Sequence, residues 1–398
     1  MPHAETLSMG IRNAGSITIG LIAGLIAALV STPAMAGPRD LIPVTGQGAG
    51  FSQSTLSAKA PGTLKAAQTT QSAAATSTGS LPTFGTQFHG MWSSYTDSKR
   101  AMVLDKLKAN GVTTVRLDVS WAMLQPTSAS FDNWGTDFVT RVLKMITDHG
   151  MDPMVMIWMT PSWVTGSSDS RIPPKGSAQL AQWETFLTQA AARFPQVKNW
   201  EIWNEPNHND FMRGADPAVY AQVLASGYRG VKAGNPQARV VFAGTQFVDV
   251  PWIKKALAAG ATGKYDVMGV HPYMAVGDLS PNTADDGTIW RLRHIPALRE
   301  AMLNAGEDKP MWFTEFGWRV GSIGTANWQL GVSQTTQAKY LAETLRIVKT
   351  EWPYVTRVFW YRELADNNTT NSSGYGLITP KGTVKPALAQ IPAIYAAG

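Results

Sequence analysis

The stretch WEIWNEPNHND, from Trp200 to Asp210, poses a problem: bulky apolar residues in a strand-like run meet a carboxylate, Glu205, and stop at once on Pro206. Side chains alternate along a strand, which would put Glu201, Trp203 and Glu205 on one face and Trp200, Ile202 and Asn204 on the other. Pro206 has no N–H with which to extend a ladder, so the strand ends there. For neighbours Asn204 and Glu205 both to reach one ligand, the strand must break or bulge, and the pattern places that break at Asn204. Glu201, deeper on the inward face, is expected to partner an arginine of the interior.

Working outward, the same kind of segment recurs. Candidate strands lie near Phe84 to His89 and from Val112, Asp152, Val197, Arg239, Tyr265, Pro310 and Val355, eight in all. Helical patterns intervene over Lys99 to Asn110, Thr136 to His149, Ser177 to Phe194, Pro217 to Ala233, Trp290 to Ala305 and Thr335 to Glu351. Several end on Gly or Asn, as helix stop signals do. Near-continuous apolar strands alternating with helices indicate an α/β chain with a parallel sheet covered by helices. The eightfold count points to a closed (β/α)8 TIM barrel over residues 81–398, a single catalytic domain, with an open doubly wound sheet as the alternative.

The rest of the chain reads differently. Arg12 precedes an apolar run from Ile17 to Val30, and STPAMAG supplies small residues at Ala34 and Ala36, the pattern of a bacterial-type export signal over residues 1–36. The run is short for a membrane span, so the expectation is cleavage and an exported (secreted or periplasmic) protein without stable membrane insertion; an uncleaved anchor is the alternative. Residues 37–80 are rich in Gly, Ser, Thr, Ala and Gln and read as a low-complexity linker or tail. The formal charge of +6 is spread without long basic runs, which argues against nucleic acid as a partner. The absence of cysteine excludes thiol catalysis and cysteine metal sites. No cofactor is expected, and monomer is the default.

In a barrel of this kind the active site lies at the C-terminal ends of the strands. Those ends carry His89, then Arg116 and Asp118, Trp158, Asn204 and Glu205, Gln246, His271 and Tyr273, Glu315, and finally Trp360, Tyr361 and Glu363. Two carboxylates flanking a glycosidic bond are what retaining glycoside hydrolysis needs, and Glu205 and Glu315 can face each other across the mouth. His89, Asp118 and Trp158 are candidates for substrate contact by position. Glu363 is weighed as a further contact and His208 as a loop former. Trp92, Trp121, Trp158, Trp163, Trp318 and Trp328 suit the rim of a polysaccharide groove, whereas Trp183, Trp200 and Trp312 read as core. DNNTTNSSGYG after the last strand reads as a flexible loop at the cleft. No H-E-x-x-H or G-x-S-x-G is present, so neither a zinc protease site nor a serine nucleophile is expected, and no metal.

WEIWNEP together with WFTEFGW resembles the clan A glycoside hydrolases, retaining (β/α)8 enzymes; EIWNEPN and the HPY of strand six look most like family 39 and related bacterial endoglycosidases. The resemblance spans residues 81–398. It implies that Glu205 is the general acid/base and Glu315 the nucleophile. Asn204 would bond the sugar 2-hydroxyl, Arg116 would keep Glu315 ionised, His271 and Tyr273 would line the nucleophile side, and Trp360 would form the floor under the sugar. The implied function is retaining hydrolysis of a cell-surface or extracellular polysaccharide or oligosaccharide. A transglycosylase on the same scaffold, or a catalytically idle carbohydrate-binding barrel, are the alternatives.

Overall fold

The computed structural model describes residues 79–366 and 372–397. The expected signal, the linker up to residue 78 and part of the loop after the last strand (367–371) lie outside the described residues. Eight strands close a ring in chain order: β1 (Thr83–Phe88), β2 (Thr114–Ser120), β3 (Asp152–Trp158), β4 (Asn199–Ile202), β5 (Arg239–Gln246), β6 (Val267–His271), β7 (Met311–Phe316) and β8 (Val355–Trp360). All pairings are parallel, and β8 returns to β1. The doubly wound alternative is thereby excluded.

One principal helix follows each of the first seven strands: α1 (Asp97–Ala109), α2 (Asn133–Asp148), α3 (Gly176–Arg193), α4 (Pro217–Gly234), α5 (Val250–Ala256), α6 (Ile295–Asn304) and α7 (Gln334–Glu351). Two short helices, Pro386–Ala389 and Ile391–Ala396, follow β8. Local chemistry sets the helix starts. Thr96 accepts from the Lys99 N–H ahead of α1, Asp132 from Gly135 ahead of α2, and Asp216 from Ala218 and Val219 ahead of α4, each satisfying amides that lack an intrahelical partner. Among the described residues no helix is long and apolar enough to cross a membrane.

One helix starts later than the periodicity predicts. The pattern from Trp290 continues into α6, but α6 begins at Ile295, behind a single 3-10 turn over Leu292–His294. Pro296 explains the delay: proline is tolerated in the first helical turn, whereas in an interior it would remove a hydrogen bond and clash with the preceding turn. The basic group before it forms no stripe, because Arg291 pairs with Asp286, Arg293 with Glu351 and His294 with Asp285.

The interior of the ring is layered. At its base Met154, Val241, Val267, Trp312 and Phe359 form an apolar plug, while the alternate residues of the strands pack outward against the helices in the main core. Trp183 and Trp200 belong to that outer layer and Trp312 to the plug, as expected of core residues. Above the plug the inward positions turn polar, and there the strand-end residues meet.

Candidate active site

β4 departs from the expected pattern one residue early. It ends at Ile202, and Trp203 takes a left-handed backbone with φ +83°, as does Glu205 with φ +37°. Non-glycine residues pay for such conformations, and they persist only where the surroundings over-determine them. The restraints are visible: the Trp203 N–H donates to the Ile157 carbonyl and the Glu205 N–H to that of Gly244. Trp203 turns outward to pack edge-on with Trp158 and Trp183. Asn204 and Glu205 then both project into the barrel, which the regular alternation forbids. The break therefore lies at Trp203, ahead of Asn204.

Glu315 needs a similar device. Trp312 faces inward, so regular alternation would turn Glu315 out. Between Phe313 and Phe316 the register with β8 shifts from Val358 to Trp360, three residues of β7 spanning two of β8. That bulge brings the Glu315 carboxylate inside. β5 bulges too, between Phe242 and Thr245. At that bulge the Gly244 N–H donates to Glu201 Oε1 at 2.9 Å, while its carbonyl holds Glu205. A Cβ on Gly244 would lie 2.2 Å from the His271 ring, so only glycine lets the imidazole sit against this strand.

Arg116 occupies the centre, fully buried. Its guanidinium donates to Glu201 Oε2 at 2.6 Å, to Glu315 Oε1 at 2.5 Å, to Gln87 Oε1 at 2.8 Å and to Asn204 Oδ1 at 2.7 Å. Glu201 is thus the arginine partner the alternation pattern suggested. Gln87 passes the network on to Asp118, donating from Nε2 at 2.6 Å. Asp118, half-buried, faces the same polar layer.

Glu205 and Glu315 are both buried, at 1% and 4% exposure. Tyr273 donates its hydroxyl to Glu315 Oε2 at 2.9 Å. His271 stands differently from expectation: its Nδ1 is 2.9 Å from Glu205 Oε1 and 3.9 Å from Glu315 Oε2, so it serves Glu205 first. Gln246 completes the shell of Glu205, donating from Nε2 at 3.3 Å. Ligand atoms of Glu205, His271 and Glu315 all lie within 4.8 Å of one another. These are the residues whose donor types could hold a cation. Arg116 and Tyr273, however, already occupy the two oxygens of Glu315, and a guanidinium at 2.5 Å repels a second cation.

The electrostatics separate the two acids. Burial and the neighbouring Glu315 charge push Glu205 well above the ordinary carboxylate range. Burial raises Glu315 to about 7, against the opposing pull of Arg116 and the Tyr273 hydroxyl. Arg116 restrains Glu315 without returning it to the usual range. Burial, reinforced by the Arg116 charge, lowers His271 well below its normal value, so the ring is neutral and can accept from a protonated Glu205 or donate to an ionised one.

The remaining candidates divide. His89 is buried, donating its backbone N–H to Glu363 Oε1 at 2.9 Å with Nδ1 3.0 Å from Oε2; Tyr95 donates to the same carboxylate at 2.5 Å. This holds Glu363 ionised, at about 2, so Glu363 is a structural anion. His208 shapes its loop, accepting from the Asp210 N–H. Trp158 ends β3, 6% exposed, against Trp203 and Phe211. Trp360 requires correction. Phe359 belongs to the interior plug, so Trp360 points outward, fully buried against Phe316 and Trp318, with its Nε1 bonded to the Tyr375 carbonyl. The aromatic residue that turns inward is the next one, Tyr361, just past β8, whose ring meets His89 and Tyr375 and whose hydroxyl is raised by burial and, in part, by the charges of Glu315 and Asp118. Two of the proposed rim tryptophans, Trp121 and Trp318, are core as well. Gln87 and Gly244 carried no motif and were missed; the pairing of Gln87 with Arg116 in the β1–β2 register is the only signal that could have found the former.

A family model described as cellulase (glycosyl hydrolase family 5) matches residues 71–356. No curated protein matches the chain. Among solved structures, a family 39 glycoside hydrolase from Bacteroides cellulosilyticus WH2 is similar at TM-score 0.63 with 21% identity, over 79% of this chain and 64% of that one. This chain therefore spans just under two thirds of that protein. A monomeric beta-xylosidase from Caulobacter crescentus is similar at 0.59 and 17% identity, over 80% and 69% of the two chains. A GH5_18 from Bifidobacterium longum subsp. infantis gives 0.62 and 16%, over 80% and 79%. At such identities the likeness speaks for the fold, in which family 5 and family 39 structures both appear. The family match, covering most of the chain, settles the rest: the protein belongs to the cellulase family, glycosyl hydrolase family 5, among the clan A glycoside hydrolases.

Proposed function

We propose that the protein is an exported retaining glycoside hydrolase that cleaves O-glycosidic bonds of a cell-surface or extracellular polysaccharide by double displacement. The observation that carries this reading is the approach of Glu205 and Glu315, with carboxylate oxygens within 4.8 Å. Retaining enzymes hold their two carboxyl groups about 5–5.5 Å apart, whereas inverting enzymes need about 6.5–9.5 Å to admit a water. Glu315, its oxygens oriented by Arg116 and Tyr273, attacks the anomeric carbon. Glu205, the more strongly raised acid, gives its proton to the leaving oxygen, then takes one from the water that releases the sugar. Once Glu315 is esterified its charge is gone, so the pKa of Glu205 falls and it becomes a better base for the second step. Arg116 fixes the Asn204 carbonyl, which leaves the amide N–H group for a sugar hydroxyl. His89, Asp118, Trp158 and Tyr361 supply the remaining walls for substrate.

The test is a glycan panel incubated with the mature protein and with Glu315→Ala. The reading expects one glycan class to be cleaved by the wild type and turnover to fall about 10⁴-fold or more in the variant. Equal turnover by the two proteins refutes it.

A further inference from the structure

A second cavity, of about 380 Å³, opens beside the proposed catalytic centre between the β1–α1 loop and the segment after β8. Its size is within the range of ligand sites. Trp92, Tyr95, Lys99, Arg362 and Asp366 line it. It joins the catalytic centre through a chain of rings: Tyr361 meets His89 at 5.5 Å, His89 meets Trp92 at 4.1 Å, and the Arg362 guanidinium lies 4.8 Å from the Trp92 ring. β1 and β8 are neighbours, and β4 lies across the ring from them. Glu205, just past the end of β4, protonates the leaving group in the proposed reaction, so the cavity lies on the opposite, glycone side of the bond.

Its cations, Lys99 and Arg362, equal the nearby anions, Glu363 and Asp366, in number but are unevenly paired with them. Glu363, beneath the cavity, has its oxygens taken by His89 and Tyr95. Asp366 faces Arg362 at 3.4 Å. Lys99 has no carboxylate partner among the described residues; its ammonium sits 4.3 Å from the Tyr95 ring and 3.4 Å from the Ser94 carbonyl. Arg362 is buried and keeps its Nε without a hydrogen-bond partner. Burial and the neighbouring Arg362 charge lower the pKa of Lys99, against the opposing pull of Glu363 and Asp366. A lysine and an arginine beside a cavity of this size match a carboxylate, whose charge-assisted hydrogen bonds are the strong kind.

We propose that this cavity is a subsite for a carboxylate-bearing sugar on the glycone side of the cleaved bond, with Lys99 and Arg362 as the groups that recognise the acid. The inference rests on the glycosidase reading for its position, and names the class of substrate that reading left open: an acidic polysaccharide.

The test compares cellohexaose with its C6-oxidised counterpart, the cellouronate hexamer, as ligands of the full chain and of Lys99→Gln, measuring both binding by calorimetry and cleavage. The wild type should bind the cellouronate about tenfold tighter than cellohexaose, a preference that Lys99→Gln reduces to about twofold or less while leaving cellohexaose unchanged. Lys99-dependent binding without cleavage would support the subsite and count against the hydrolase reading. Cleavage without preference for the acid would do the reverse. Equal binding of the two ligands, equal weakening of both by Lys99→Gln, or binding of neither overturns the subsite.

Discussion

At the scale of the residue, the chemistry turns on one guanidinium and two acids. Among the described residues Arg116 is the only cation within hydrogen-bond reach of both Glu201 and Glu315. Replacing it by methionine strands two buried carboxylates, a loss that costs about 3–5 kcal/mol when a buried pair is broken. Arg116→Met should unfold at correspondingly lower denaturant, and an unchanged midpoint would remove Arg116 from the centre of the network. The two acids also set the pH dependence. In the proposed double displacement Glu315 must be ionised to attack, so kcat/KM should rise as pH climbs through about 7. Glu205 must be protonated to help the leaving group, so activity should fall again at higher pH, as that raised acid titrates. Because the acids are coupled, the two limbs of the bell belong to the pair. A Glu205→Gln variant assayed on a substrate with a good leaving group should lose the basic limb and keep the acidic one; retention of both limbs would contradict the assignment. Much of this was legible in sequence, since the motifs put both acids at strand ends and alternation turned Glu201 towards an interior arginine. Trp360 was not, because it and Tyr361 are adjacent aromatic residues at a strand end, and only the inward packing of Phe359 reveals which of the two faces the site.

At the scale of the element, irregular backbone places both acids. Regular strands would give either Asn204 or Glu205, and would turn Glu315 out of the ring; the kink at Trp203 and the bulge in β7 remove both obstacles. The bulge in β5 places Gly244 where its N–H, its carbonyl and its bare Cα serve Glu201, Glu205 and His271 in turn. Gly244→Ala should force the imidazole away from Glu205. Displacements of this order cost about 10²-fold in turnover. Kinetics on the purified variant would check it, and wild-type turnover would show that the contact with His271 is dispensable. The bulges of β5 and β7 left no trace in the sequence because they depend on the register between strands, which alternation within one strand cannot supply. The late start of α6 is different: Pro296 was in view, and its missing N–H outweighs the periodicity before it.

At the scale of the whole molecule, the barrel was legible because its signals repeat: eight apolar strands, helices with capping residues between them, and strand ends that share a polar character. The cost of building the site into this barrel should appear in its stability. In the folded state Glu205 and Glu315 hold protons that the unfolded chain releases above about pH 4.3, so their burial favours folding least where they must ionise. Stability contributed by the pair is present below that pH and declines as pH rises through about 7. Glu363, held at about 2, acts in the opposite sense, contributing above pH 4.3 and failing as pH falls towards 2. Thermal melts of the wild type and of the Glu205→Gln, Glu315→Gln double variant should show a shallower decline above pH 5 in the variant; parallel curves would contradict the raised acids. Prolonged EDTA treatment should leave turnover unchanged, since Arg116 and Tyr273 fill the positions a cation would need, and a loss reversed by added metal would reopen the role of the Glu205, His271 and Glu315 cluster.

In the proposed reaction Glu315 attacks the sugar and Glu205 assists, across a gap too short for a water. The most direct measurement is proton NMR of the first product released from a substrate identified on the glycan panel, recorded before the anomers equilibrate. Double displacement predicts a product with the anomeric configuration of the substrate, whereas a product of inverted configuration would contradict the roles assigned to both acids.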